Sequence, residues 1–283
     1  MMTIKEALRE ARDELEGASG TPVLDARVLL MDTLDRDELF LIMNREESLE
    51  DATRQSFMEK VRMRKEGMPV AYITGKKEFM GFTFKVTKDT LIPRADTEIL
   101  VEKALEVIRK RGYRKILDLC SGSGAIGLSL AKILDFTNVT LSDIKEEAIS
   151  VSRENAQALG IMDRVDFTVS DLFRDIHGRF DMIASNPPYI SREEMGELSA
   201  TVKDFEPHTA LFGGEDGLDF YREIAEKARE FLAEDGALIF EIGYDQGGEV
   251  MEIMKKNGYR NVEILKDLAG LQRVVFGELI PET

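Results

Sequence analysis

From residue 97 onward the chain alternates between two hydrophobic periods. Segments with apolar residues three and four apart read as helices over 97–111, 124–134, 146–159, 217–233 and 246–257. Between them lie short apolar or β-branched runs: KILDL, NVTLSD, VDFTVSD, FDMIAS and ALIFEIG. Two more strands are expected near 259–265 and 272–278. Parallel neighbours need a crossover, usually a helix, so this order predicts a mainly parallel sheet with helices on both faces. The link between the last two strands is too short for a crossover, so they are expected to pair antiparallel.

The first part of the chain has a different pattern. Residues 1 to about 70 carry helical periodicity and no convincing strand, with 11 basic and 16 acidic residues over 1–75. In TPVLDARVLLMDTL, Thr21 is placed as an N-cap and Pro22 at the first helical position. Further helices are expected over Asp37 to Met43 and Leu49 to Gly67. Then Phe82, Phe84 and Val86 alternate with Thr83, Lys85 and Thr87, a half-buried strand pattern for which Tyr72 and Ile73 are the expected partner. The plan is a small all-helical domain over 1–70, a β-hairpin linker over 71–92, and an α/β domain over 93–283.

Charge and cysteine usage narrow the partners. The formal charge is −16, from 38 basic and 54 acidic residues, which works against binding nucleic acid through its phosphates. No apolar run approaches the ~20 residues of a membrane span, and the start, MMTIKEALREARDELEG, lacks an apolar signal core. Neither nucleic acid nor membrane is therefore expected as a partner, and a cytoplasmic location follows. Cys120 is the only cysteine, which excludes an intrachain disulfide. His177 and His208 do not make a metal cluster, and no metal is expected.

The strand KILDL runs into CSGSGAIGLSLA, where Gly122, Gly124 and Gly127 spell G-x-G-x-x-G between a strand and a helix. Such a loop lets backbone approach a ligand, and the helix start supplies unsatisfied N–H groups. Cys120, Ser121, Gly122, Ser123 and Gly124 are the candidate loop. Asp143 ends the next strand, about 20 residues on, where a carboxylate can bind ribose hydroxyls. The fingerprint suits a Rossmann-like seven-stranded sheet but does not separate NAD from S-adenosylmethionine. Asp118 favours the latter, because a carboxylate there attracts a cationic methionine end and repels pyrophosphate. Asp171 ends the third strand, where it can accept from an adenine amino group with Leu172 packing on the ring. A helix cap is an equally good reading of Asp171.

The fourth strand ends in SNPPY. Asn186 has a side-chain carbonyl, and Pro187 and Pro188 fix their φ angles and offer carbonyls without competing N–H groups. Such a corner can hold both hydrogens of a planar –NH₂ group, with Tyr189 against its flat face. A surface turn is the bland alternative. An amide or aromatic amine has a delocalised lone pair and is a poor nucleophile, so fixed acceptors that orient it and stabilise developing positive charge would promote its methylation.

NPPY together with DLCSGSGAIGLSLA and Ser142-Asp143 resembles the amino-methyltransferases. The stretches YITGKKEFMGFTFKVTKDTLIPRADTEILV, FEPHTALFGGEDGLDFYREI, FEIGYDQ and KDLAGLQRVVFGEL are similar to the release-factor glutamine methyltransferases of the HemK/PrmC type, over essentially the whole chain. The resemblance implies methyl transfer from S-adenosylmethionine to the glutamine side-chain amide in the Gly-Gly-Gln tip of class I peptide chain release factors. It implies that Cys120 to Gly124 lie under the methionine part, Asp143 holds the ribose, and Asp171 with Leu172 borders the adenine. Asn186 and the Pro187 carbonyl would hold the glutamine amide, framed by Tyr189. The family usually has proline where this chain has Ala95, and often tryptophan near Leu172, where this chain has none. The alternatives are an adenine-specific nucleic-acid methyltransferase, an NAD-dependent oxidoreductase and a non-catalytic binding module.

Overall fold

The computed structural model describes residues 2–279 and divides into two compact units, Met1–Lys76 with Ser199–Phe205, and Lys77–Leu198 with Glu206–Thr283.

The first unit is helical. Its helices are α1 (Ile4–Leu15), α2 (Pro22–Leu34), α3 (Glu38–Met43), α4 (Asp51–Lys65) and α5 (Val70–Thr74). A capping box starts α1: Thr3 Oγ1 accepts from Glu6 N at 3.2 Å, and Glu6 returns the bond to Thr3 N at 2.8 Å. Ile4, Ala7, Ala11 and Leu15 make one buried stripe, closed by Leu29, Leu30, Phe57 and Val61. Thr21 precedes α2 as expected but does not cap it. Its hydroxyl donates instead to the buried Asp25 carboxylate, which also accepts from Ser19 Oγ and Arg64 Nε.

The hairpin departs from its expected pairing. Tyr72 and Ile73 lie in α5, not in a strand, and α5 ends at Gly75 in the left-handed region. The paired strands are β1 (Lys76–Phe79) and β2 (Phe82–Lys85). Met80 and Gly81 between them have φ of 51° and 76°, the two positive values that a two-residue hairpin turn requires. Turn geometry therefore chose the nearer partner.

The second unit continues with α6 (Thr97–Arg111), β3 (Lys115–Leu119), α7 (Ala125–Ile133), β4 (Asn138–Asp143), α8 (Glu146–Leu159), β5 (Val165–Val169) and β6 (Phe180–Ser185). Short helices α9 (Arg192–Glu197) and α10 (Ala200–Phe205) follow, α10 belonging to the first unit. The chain then forms α11 (Asp219–Phe231), β7 (Leu232–Glu241), α12 (Gly247–Lys256), β8 (Arg260–Lys266) and β9 (Gln272–Glu278). The sheet has seven strands in the order β5-β4-β3-β6-β7-β9-β8, parallel except for β9, which runs antiparallel to both neighbours. β7 begins at Leu232, earlier than its apolar run suggests, because Leu232 pairs with Phe180 before a register shift between the two strands. Among the described residues no helix is long and apolar enough to cross a membrane.

Side-chain alternation splits the core between the two faces. Ile116, Ala184 and Ile239 pack with Leu100, Leu128 and Ile126 on one side. Leu117, Leu119, Ile183 and Phe240 pack with Tyr221, Ile224 and Val250 on the other. Successive strands run outward from β3 in one direction and from β6 in the other. The crevice above their carboxyl ends is therefore the topological switch point.

Gly127 sets the distance between α7 and this sheet. A Cβ there would lie 2.9 Å from Asp118 Cβ, Asp118 Oδ2 and Val139 Cγ1. Gly127→Ala is expected to destabilise the protein by ~1–3 kcal/mol through overpacking, measured by chemical denaturation.

Candidate functional site

A cavity of about 340 Å³ opens at the switch point. Cys120, Ser121, Gly122 and Ser123 line it from the loop after β3, Asp143 from the end of β4, Asp171 and Leu172 from the segment after β5, and Asn186 and Pro188 from the corner after β6. The expected residues that do not line it are Asp118, Gly124, Pro187 and Tyr189.

The glycine loop is held from below. Ser121 N bonds to Ser142 O at 3.0 Å, tying the loop to β4. Gly122 N donates to Asp143 Oδ2 at 2.9 Å, and Lys145 N donates to Oδ1 at 3.0 Å. Burial raises the Asp143 pKa, and these backbone bonds oppose the rise. Each oxygen keeps a further lone pair, so the carboxylate can still accept from a pair of hydroxyls. Ala125 and Ile126, in the first turn of α7, also line the cavity, where helix N–H groups have no intrahelical partner.

Asp118 lies under the loop. It is fully buried, its Oδ2 accepts from Gly127 N at 2.8 Å, and its Oδ1 has no partner. Burial pushes its pKa up to about 7, with the Gly127 bond opposing and Asp143 adding to the shift. Its visible work is to anchor the start of α7.

Two cavity residues other than glycine have left-handed backbone, Cys120 at φ 61° and Leu172 at φ 49°. Such residues cost ~1–3 kcal/mol each unless their surroundings hold them, and they concentrate at ligand sites. Here Ser185 Oγ donates to Leu119 O at 2.7 Å beside one, and Ser170 Oγ to Leu172 O at 2.9 Å at the other. Burial, aided by the Asp143 charge, pushes the Cys120 thiol up, which suits a packing role and not a nucleophile. Asp171 is exposed on the cavity rim and no helix begins there, so it caps none.

The Asn-Pro-Pro-Tyr corner is clamped by the chain that follows it. Ile190 N bonds to Leu211 O and Gly213 N to Ile190 O, each at 2.9 Å. Gln246 Nε2 donates to Tyr189 O at 3.0 Å. A Cβ on Gly213 would lie 2.7 Å from Pro188 O, and one on Gly217 would lie 2.3 Å from Tyr189 O, so FGGEDG can press on the corner only as glycines. Tyr189 itself packs into the core face, where burial raises its hydroxyl pKa.

Other cavity walls come from residues outside the expected site set. Thr90, Leu91, Pro93 and Thr97 line one side, and Pro207, His208, Phe212 and Phe220 another. The proline and aromatic content of EPHTALF was the available signal. Arg94 and Glu98 do not line the cavity: Arg94 pairs with the buried Glu206, and Glu98 accepts from Met80 N at 2.8 Å. With Arg273 bridging Asp96 at 3.1 Å, these bonds brace the loop that carries Ala95 without a proline.

A PrmC N-terminal domain model matches residues 6–75, and a methyltransferase small domain model matches residues 95–205. The chain is 45% identical to the release factor glutamine methyltransferase of Clostridium acetobutylicum over 97% of this chain and 98% of that one. It is 40% identical, over the same shares, to the protein of that name from Clostridium botulinum. The chain belongs to the release factor glutamine methyltransferase family. A solved methyltransferase from Pyrococcus furiosus, 17% identical, shares the fold of this release factor glutamine methyltransferase family member with a TM-score of 0.54, covering 79% of this chain and 98% of that one.

The folded state binds the Asp118 proton more tightly than an unfolded chain, whose carboxyl titrates near 3.8. The Asp118 contribution to stability is therefore expected to fall as pH rises from about 4 to about 7. Asp118→Asn mimics the neutral carboxyl and should remove this component, so that at pH 8 the variant gains up to about 4 kcal/mol on wild type. Denaturation curves at pH 5 and 8 measure it, and a gain of the same size at both values contradicts the assignment.

Proposed function

We propose that this protein transfers a methyl group from S-adenosylmethionine to the side-chain amide nitrogen of the glutamine in the Gly-Gly-Gln motif of class I peptide chain release factors. One observation carries the reading: the acceptor corner at Asn186 and the glycine loop with Asp143 line the same cavity. The two come together because Leu119 and Ser185, the last residues of β3 and β6, are register partners.

The residues present fit S-adenosylmethionine. The Asp143 carboxylate would take its ribose hydroxyls, the loop from Cys120 to Ser123 would take the methionine part, and Leu172 with Asp171 would border the adenine. When bound, it supplies a methyl group already activated on a sulfonium.

The rest is the work of this chain. The Asn186 side-chain oxygen would accept a hydrogen of the substrate amide, with Pro187 and Tyr189, which do not line the cavity, stiffening the corner behind it. Fixed acceptors at this corner oppose delocalisation of the nitrogen lone pair and stabilise positive charge as the nitrogen gains it. They also hold the nitrogen in one orientation, which converts an encounter into a positioned reaction. A substrate of this kind is met in the cytoplasm, where translation ends. The −16 charge leaves little for a nucleic-acid backbone to bind.

Mass spectrometry of a release-factor digest, after incubation with labelled cofactor, tests this directly. The expected label sits on the Gly-Gly-Gln glutamine and disappears when that glutamine is replaced; label on DNA and none on the release factor would overturn the reading. Asn186→Ala should lower kcat by ~10²–10³ with little change in cofactor affinity.

A further inference from the structure

Glu241 was not among the expected site residues, yet it stands beside the corner. Ser185, the last residue of β6, pairs with Phe240 of β7, so Asn186, directly after β6, follows beside Glu241, the last residue of β7. Glu241 is 3% exposed, and its Oε2 has no hydrogen-bond partner. Its backbone is fixed on several sides: Tyr221 hydroxyl donates to Glu241 O at 3.0 Å, Val274 of β9 is its register partner, and Ile242 N bonds to Arg273 O at 2.9 Å. A carboxyl buried this deeply with an unpaired oxygen costs stability, and such groups concentrate at functional sites.

The groups facing it point to its role. Thr97 from α6 and the Asn186 side chain lie near enough to favour the ionised carboxyl, and Thr97 lines the cavity with a buried hydroxyl that has no hydrogen-bond partner. Asp96, at the start of α6, opposes its charge, and Arg273 of β9 supports it. Arg273 is already committed to Asp96 at 3.1 Å and Asp267 at 2.9 Å, so it does not neutralise Glu241 alone. The Tyr189 and Tyr221 hydroxyls complete the surroundings, each with a pKa raised mainly by burial.

We propose that Glu241 is a positioning residue, whose carboxylate takes the Asn186 –NH₂ group as donor and so turns the Asn186 oxygen toward the substrate amide. This rests on the reading of Asn186 given above. An asparagine amide is nearly symmetric in shape, and only its partners decide which end faces a ligand. A carboxylate accepts and never donates, so it admits only the –NH₂ end. A protonated carboxyl can also donate, and the preference is lost. Burial pushes the Glu241 pKa up to about 7, where that change falls within the working range.

The test combines a substrate-free measurement with kinetics. In ¹⁵N-labelled wild-type protein, the Asn186 side-chain –NH₂ resonances should titrate near pH 7, and in Glu241→Gln they should not. Because this needs neither substrate nor turnover, it stands even if the release factor proves not to be the substrate. With the release factor, Glu241→Gln should lower kcat ~10–100-fold at unchanged cofactor affinity and flatten the rise of rate through pH 7. In an Asn186→Ala background the same change should cost almost nothing further, because the two residues act as a unit. An Asn186 signal indifferent to pH in wild type overturns the proposal, as does full additivity of the two substitutions.

Discussion

The bond from Gly127 N to the buried Asp118 carboxylate is the contact on which the rest of the site depends. It draws the start of α7 against β3 at a distance only glycine permits, since any Cβ would meet Asp118 and Val139. With α7 seated there, the loop before it is short, and Cys120 has to adopt left-handed backbone to make the turn. Gly122 N then reaches Asp143, and two neighbouring strand ends share one ligand surface. A carboxylate with no cation beside it is a costly anchor, but it reaches a helix N–H that an apolar residue would leave unpaired.

The second rigid body of the cavity is the Asn-Pro-Pro-Tyr corner, and its stiffness has two sources. The prolines remove local freedom. The chain over Leu211 to Gly217, with Gln246, removes the remainder by bonding and packing against the corner. Catalysis by orientation needs both, because an acceptor that can swing gains nothing over water. The loop at Ala95 makes a similar point. With alanine and not proline at position 95, the chain braces this connection with the Arg94–Glu206 and Arg273–Asp96 pairs.

The alternation of helical and strand periods, the glycine spacing and the position of Asn186-Pro187-Pro188-Tyr189 after a strand were all legible in the chain itself. They depend on residues within one or two turns of each other, and local periodicity and backbone restriction act at that range. The hairpin shows where this stops. Tyr72 and Ile73 have strand-like side chains, but the positive φ pair at Met80 and Gly81 closes the turn on Lys76–Phe79 instead. Thr21 shows it again: its position suits an N-cap, and the buried Asp25 takes its hydroxyl.

By itself, then, the amino-acid order determined the elements, their succession and which side chains end up at strand tips above the sheet. Only the tertiary structure decided that Glu241 stands beside Asn186, that Asp118 serves the helix from beneath the cavity, and that His208 and Phe212 help to wall it. The reason is physical. Asn186 and Glu241 are brought together by the register of β6 on β7, which is set by packing of whole faces and not by any nearby residue.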